Sequence, residues 1–317
     1  MAALKPMNLG NFCAVTCLFN PDGYRTKANN FSRFRAALED QGVPLRIVEC
    51  AFGNASFELP PNDDVRQVRA RDVMWQKERL LNLAIASLPP QITKVAWLDG
   101  DILFANPRWA QETCARLERF AVVQPFASVV RLPRGHAEFA GAGQHWEGFA
   151  AVFARDRALL RRGHFDRHGH SGFAWAARRE WVETHGLYDA CVAGSGDHMM
   201  AHAFAGDGDS PCLDRILARG NAHRAFFDAW RAHASAGVGG SIGFTPGTIY
   251  HLWHGEMAGR RYVLRNRELA DFDFDPQRDL RLGSTGCWEW TGAGERIREW
   301  ARDYFGQRRE DHPFPAC

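Results

Sequence analysis

The chain has 317 residues, 45% hydrophobic and 24% charged, with a formal net charge of only +2 from 39 basic and 37 acidic side chains. That length suits one large α/β domain or two small ones, and the composition of an ordinary globular protein excludes disorder over most of it. The near-even charge balance argues against a nucleic-acid binder driven by phosphate neutralisation, and no run reaches the roughly 18 to 20 apolar residues of a membrane span.

In chain order, "NFCAVTCLFN" (11–20) is a continuous apolar run closed by the turn signal Asn20-Pro21-Asp22-Gly23, and reads as a strand buried on both faces. Phe31, Phe34 and Leu38 then recur at helical spacing up to Gln41-Gly42. "PLRIVECAF" (44–52) is a second strand, a Pro- and Asn-rich loop covers 53–64, and a short strand follows at Val65–Val68. Residues 73–88 pattern as an amphipathic helix ended by Pro89-Pro90, and the next strand ends at Asp99 in "KVAWLDGDILF" (94–104). Strands alternating with helices imply right-handed crossovers and a mostly parallel sheet, whose ligands bind beyond the carboxyl ends of the strands.

The second half is patterned differently. Residues 127–147, rich in Gly, Arg and His, read as loop, and "GFAAVFARDRALL" (148–160) as a strand-like start with a helical continuation. "SGFAWAARREWVETHGLYDA" (171–190) reads as a strand entering a helix, "CVAGSGD" as a loop opening a helix at 197–206, and "TPGTIYHLWHG" (245–255) as an apolar segment ending in two histidines. The chain turns polar from about residue 260, and 295–309 reads as a helix with a solvated face. No internal repeat is visible. The N-terminal stretch has no basic head followed by a long apolar run, so no secretory signal is expected. The eight cysteines show no CxxC pair and no even framework, so several are read as small hydrophobes and the compartment as a reducing cytoplasm. The excess of Arg and Ala over Lys and Ile hints at a GC-rich bacterial genome.

Asp99 and Asp101 raise a physical question, because like charges this close disfavour each other's ionisation. Residues i and i+2 of an extended segment share a face, so both carboxylates can serve one hard divalent cation, a role such ions fill with few protein oxygens plus substrate phosphates. Gly100 between them lets a phosphate approach the backbone. A plain Asp-Gly-Asp turn is the competing reading, held at even odds by the strand context. Asp197, after Gly194-Ser195-Gly196, is either an N-cap or an acid beside a ligand-facing loop. His251 and His254 offer neutral imidazoles to a metal.

A strand-ending Asp-x-Asp, a later Gly-rich acidic turn opening a helix and a His after a further strand resemble a GT-A fold glycosyltransferase of the inverting family 2-like kind. The likeness runs from about residue 12 to residue 265. It implies a Rossmann-like, mostly parallel central sheet flanked by helices, with an acceptor-side subregion and a C-terminal helical tail. Residues 1–260 would form the transferase domain and 261–317 a helical extension packed on it. It further implies a nucleotide-sugar donor, a UDP-sugar first of all, a glycan or other hydroxyl acceptor, Mn2+ or Mg2+, and hexosyl transfer with inversion. Carried over, Asp101 would bind the metal directly, Asp99 would contact it through water or hold the ribose, and His254 or His251 would complete the site. Asp197 would be the general base, although many inverting relatives have Glu-Asp where this chain has Gly196-Asp197. Phe19, Asn20, Trp75, Lys77 and Gly100 would meet the nucleotide, with Arg71 a further candidate, Trp175 and Trp253 would stack on sugar, and residues 260–269 would close over the diphosphate. A metal-dependent nucleotidyltransferase or phosphohydrolase is the alternative, and a non-catalytic carbohydrate binder using the 11 Trp is a third. No nucleic acid or transmembrane partner is expected, and peripheral membrane association is left open.

Overall fold

A computed structural model describes residues 9–161 and 167–312. The N-terminal stretch read for a secretory signal lies largely outside them, as does Cys317. The first half follows the sequence pattern closely. β1 (Phe12–Phe19), buried along nearly its whole length, is followed by α1 (Arg25–Asp40), which buries Phe31, Phe34 and Leu38. β2 (Leu45–Phe52), β3 (Val65–Ala70), α2 (Lys77–Ala86) and β4 (Lys94–Leu98) come next.

α2 starts four residues later than its apolar pattern. Val73–Gln76 stay non-helical because Trp75 N–H donates to Val192 O at 3.0 Å and the Gln76 amide bonds both backbone groups of Trp288. Lys77 therefore sits in the first turn of the helix.

After β4 come β5 (Ile102–Phe104), α3 (Trp109–Arg116), β6 (Val122–Gln124), β7 (Ser128–Arg131) and β8 (Gln144–Glu147). The stretch expected as loop at 127–147 thus carries two strands. β8 is an edge strand, mostly exposed, so it shows no apolar alternation to read. The segment expected to begin as a strand at 148 is helical from the outset, as α4 (Phe149–Arg155) and α5 (Ala158–Arg161). β9 (Ala174–Arg178) runs straight into α6 (Arg179–His185), and α7 (Gly196–Phe204) follows the Gly-Ser-Gly turn. α8 (Pro211–Ile216), α9 (Ala222–Val238) and β10 (Ile242–Phe244) had no sequence assignment. β11 (Thr248–His251) carries the first histidine. The C-terminal segment holds α10 (Leu264–Asp271), α11 (Pro276–Asp279), the strand pair β12 (Leu280–Leu282) and β13 (Trp288–Trp290), and α12 (Glu295–Gln307).

The central seven-stranded sheet runs β10-β6-β9-β4-β1-β2-β3, parallel except for β9. A second sheet, β5-β11-β7-β8, stands beside its carboxyl edge. The expected mixed α/β architecture with a mostly parallel central sheet is what the chain adopts. Among the described residues, no helix is long and apolar enough to cross a membrane.

Candidate functional site

The end of β4 is fixed from both sides. Thr16 Oγ1 on β1 donates to Leu98 O at 2.8 Å, and Asp99 N–H donates to Phe173 O, at the start of β9, at 2.7 Å. The chain then turns at Gly100, where an added Cβ would lie 2.6 Å from the ring of buried Phe31. Packing against α1 therefore requires a glycine here, a reason separate from the phosphate approach. β5 pairs antiparallel with β11, His251 opposite Ile102, and Leu252 N–H donates to Asp101 O at 2.9 Å. This register brings both histidines to Asp101.

Asp101 Oδ2 lies 3.0 Å from His254 Nε2 and 3.8 Å from His251 Nε2, and the two Nε2 atoms are 2.9 Å apart. The Asp101 Oδ1 atom is buried with no hydrogen-bond partner in the described structure. A carboxylate with one oxygen beside two imidazoles and the other left without a partner fits a cation, since leaving such an atom unsatisfied is costly. Burial pushes the His254 pKa down to about 3, with Arg260 adding to the effect against Asp101 and Glu310. Burial also lowers that of His251. Both rings are thus neutral at neutral pH, the form that ligates a metal. Burial opposes ionisation of Asp101, but His254, His251 and Arg260 outweigh it and hold the acid below the usual carboxylate range. Glu310 Oε2, 3.7 Å from His254 Nδ1, supports the ring from behind, and Arg308 Nε in turn donates to Glu310 Oε1 at 2.6 Å. The sequence reading missed this Glu310–Arg308 pair, because it lies just past α12 in a polar segment with no motif.

Asp99 takes a different partner. Lys77 Nζ stands 2.5 Å from Asp99 Oδ1 and 2.6 Å from Asp197 Oδ2, bridging the two acids. Burial works against the lysine's charge, yet Asp197 and Asp99 raise its pKa well above the usual value. Burial, with Asp197 and Asp101, pushes Asp99 up to about 7 against the pull of Lys77. Asp197 is in the first turn of α7, one residue inside the helix, and the N-cap is Ser195 at φ 80°. The strained Ser195 is held by Arg265 Nη2 at 3.0 Å and Asn266 Nδ2 at 3.3 Å. Gly196 has no room for a side chain, because a Cβ would lie 2.4 Å from Glu78 Oε1. The buried Glu78 carboxyl, pushed up to about 8 by burial against Lys77, fills the space a side chain at 196 would need.

These groups line one cavity of about 550 Å3, which Phe19, Trp75, Lys77, Asp99, Gly100, Asp101, Asp197, His251 and His254 all face. That volume is within the roughly 300–1,000 Å3 of small-molecule sites. Lys27, Arg131, Arg260, Arg265 and Arg308 add positive charge to the walls. Arg260, Tyr262, Val263, Arg265 and Asn266 come from the segment expected to close over a diphosphate. Trp75 packs edge-on to Phe19 with centroids 5.2 Å apart, under the Arg308 guanidinium at 5.1 Å. Other expected residues stand elsewhere. Asn20 does not line the cavity; its amide closes a turn through both backbone groups of Tyr24. Trp175 is wholly buried in the core and donates to Ser171 O, so it has no face for a sugar. Arg71 pairs with Asp72 and Trp290 O on another part of the surface. Trp253 is outside the lining and lies under Arg134.

No family model matches the chain, and no curated protein matches it. Among solved structures it is similar to the catalytic domain of Drosophila β1,4-galactosyltransferase 7 in complex with xylobiose, at 16% identity and a TM-score of 0.34. The match covers 60% of this chain and 59% of that one. A mutant of the same enzyme, in complex with manganese, UDP-Gal and xylobiose, aligns at 13% identity and a TM-score of 0.33 over the same shares. 4-Diphosphocytidyl-2C-methyl-D-erythritol synthase from Anaerococcus prevotii aligns at 9% identity over 75% of this chain and 88% of that one, with a TM-score of 0.35. The likeness is one of fold.

Proposed function

We propose that the chain is a metal-dependent glycosyltransferase that moves a hexosyl group from a nucleoside-diphosphate donor, in the first instance a UDP-sugar, to an acceptor hydroxyl with inversion. The observation that carries this reading is the convergence, in one cation-walled cavity, of the Asp101–His251–His254 cluster and the Asp99–Lys77–Asp197 bridge. Asp101, His251 and His254 would hold the divalent ion, and two imidazoles beside one carboxylate suit manganese better than magnesium. When bound, that ion supplies a Lewis acid at the diphosphate, where negative charge builds as the sugar leaves.

The protein's own groups do the rest. Arg260, Arg265 and Lys27 offset the diphosphate charge, and Trp75 and Phe19 present aromatic surface to the base. Asp197 accepts the acceptor's proton through the oxygen that Lys77 does not grip, within hydrogen-bond reach. Lys77 fixes the carboxylate's orientation, and Asp99 holds Lys77 in place. The experiment is incubation of the full chain with a panel of nucleotide sugars and manganese, with nucleoside diphosphate release as the readout. Slow, manganese-dependent release from one donor, accelerated by an acceptor sugar, is expected. Cleavage of the donor to nucleoside monophosphate and sugar 1-phosphate would replace transfer with hydrolysis, and pyrophosphate release from a nucleoside triphosphate offered with a sugar 1-phosphate would replace it with nucleotidyl transfer.

A further inference from the structure

A second group of metal-binding side chains shares no residue with Asp101, His251 and His254, although His168 and His198 reach the wall of the same cavity. His168, His198, His202 and Cys212 each offer one ligand atom, and the four atoms lie within 4.8 Å of one another. All four residues are buried, three of them at 1% exposure or less. His198 and His202 are one turn apart on α7 and so share a face. His168 comes from the loop before β9, and Cys212 from the first turn of α8, where Ser210 Oγ accepts its backbone N–H at 3.2 Å. We propose that these four side chains form a closed, tetrahedral zinc site.

The orientation of the rings carries the argument. His202 Nδ1 is 3.2 Å from Asp207 Oδ2, His198 Nδ1 is 3.3 Å from Ser171 Oγ, and His168 Nδ1 is 2.8 Å from Gly169 O. The Asp207 carboxylate and the Gly169 carbonyl can only accept, which favours the Nδ1–H tautomer of His202 and His168 and leaves Nε2 bearing the lone pair, and the Ser171 hydroxyl can accept from His198 in the same way. The Nε2 atom of His202 is buried and meets no hydrogen-bond partner among the described residues. The three ring centroids lie 4.8, 4.9 and 5.1 Å apart. Imidazoles on a tetrahedral ion at about 2.0–2.1 Å have centroids roughly 5 Å apart by the same geometry.

The donor set selects the ion. Three imidazoles and a thiolate are softer than manganese or magnesium prefer, and four protein ligands in a tetrahedron are the arrangement of a structural zinc. With no open position the ion does no chemistry itself. It ties the 167–170 loop to α7 and α8, and His198 is the neighbour of Asp197.

The test is metal content, read without any enzymatic assay. The full chain, produced with zinc and dialysed against metal-free buffer, should retain about one zinc per chain. Cys212→Ser and His202→Gln should lower zinc affinity by about tenfold or more, while His254→Ala should leave zinc content unchanged. Cobalt replacing zinc should give the thiolate charge-transfer band and the intense visible bands of a tetrahedral site, with the former lost in Cys212→Ser. The cobalt spectrum of the unaltered chain decides the matter even if both variants misfold. No retained zinc together with no charge-transfer band would overturn the proposal, as would zinc lost from His254→Ala but kept in Cys212→Ser. Because neither readout involves sugar transfer, failure of the proposed activity leaves this result standing.

Discussion

Replacing Lys77 by methionine tests the electrostatic centre of the site directly. The side chain is 9% exposed, with contacts of 2.5 and 2.6 Å to Asp99 and Asp197. With an effective dielectric of 20, each contact is worth about 6 kcal/mol of Coulomb attraction, most of it offset by desolvation of the three ions. Lys77→Met removes the attraction and leaves the desolvated acids, which typically costs about 3–5 kcal/mol. The acids can escape this cost by taking up a proton. Asp99, already at about 7 with the lysine in place, moves further up when the lysine is gone. A carboxyl whose folded pKa lies above its unfolded value contributes stability at low pH that is lost as pH rises through the folded pKa. The deficit of Lys77→Met should therefore be smallest below pH 7 and grow above it by up to about 1.4 kcal/mol per pH unit. Urea denaturation of both proteins across that range measures it, and Lys77→Met combined with Asp99→Asn should recover much of the loss at pH 8. A variant within 1 kcal/mol of the parent at pH 8, with no pH dependence of the difference, would refute the reasoning.

Four further outcomes are expected. His254→Ala should weaken manganese binding by about 10- to 100-fold or more, measured by calorimetry, with little change in melting temperature; equal affinity would remove His254 from the metal site. Asp197→Asn should lower the transfer rate by roughly two to four powers of ten and also cost stability, because it removes one of the two acids that hold buried Lys77; an active variant would take the base away. Gly100→Ala should cost about 1–3 kcal/mol through the contact with Phe31, and Phe31→Ala in the same chain should relieve the clash, which a double-mutant cycle reads. His223, buried and pushed down to about 3, should cost stability as pH falls below 6.5, because only the unfolded chain gains the proton there, by up to about 1.4 kcal/mol per pH unit; His223→Phe should flatten that acid slope.

The sheet and its site were legible where a residue's role is local. The apolar runs of β1, β2 and β4 name buried parallel strands without help from the rest of the chain, and they put Asp99 and Asp101 at a carboxyl edge. His251 and His254 were readable because β11 is short and ends in them. Lys77 was picked as a nucleotide contact, but its grip on Asp99 and Asp197 depends on where α2 begins. That is decided by Val192 and Trp288, far along the chain. β8 was lost because an edge strand needs no apolar face, and Arg308 and Glu310 because their meaning lies wholly in what they touch. Of the four residues of the proposed zinc site, His198 and His202 have a ligand-like spacing, one helical turn apart, but His168 and Cys212 have none that ties them to the pair. Cys212 reads as a small hydrophobe until α8 brings it to α7.

Asp197, the proposed base on α7, is held more firmly than a first-turn acid needs for capping. Ser195 sits at φ 80°, a costly conformation for a residue with a side chain, and it persists because Arg265 and Asn266 both bond its hydroxyl. Lys77 grips Asp197 itself, Glu78 fills the space beside Gly196, and one and five residues further on His198 and His202 enter the zinc cluster. These restraints come from the first turn of α2, from the Arg265–Asn266 segment and from the partners of α7 in the proposed cluster, so Asp197 is fixed from more than one side. A transferase needs this, since a base about 1 Å out of place loses much of its effect. It follows that stripping zinc should impair the base more than the donor site. Asp101, His251 and His254 stand on or beside β5 and β11, whereas the cluster is built from α7, α8 and the loop before β9, so manganese affinity should survive zinc removal while acceptor-dependent turnover falls. Equal loss of both on chelation selective for the buried site would mean that the two metal centres share a support other than α7.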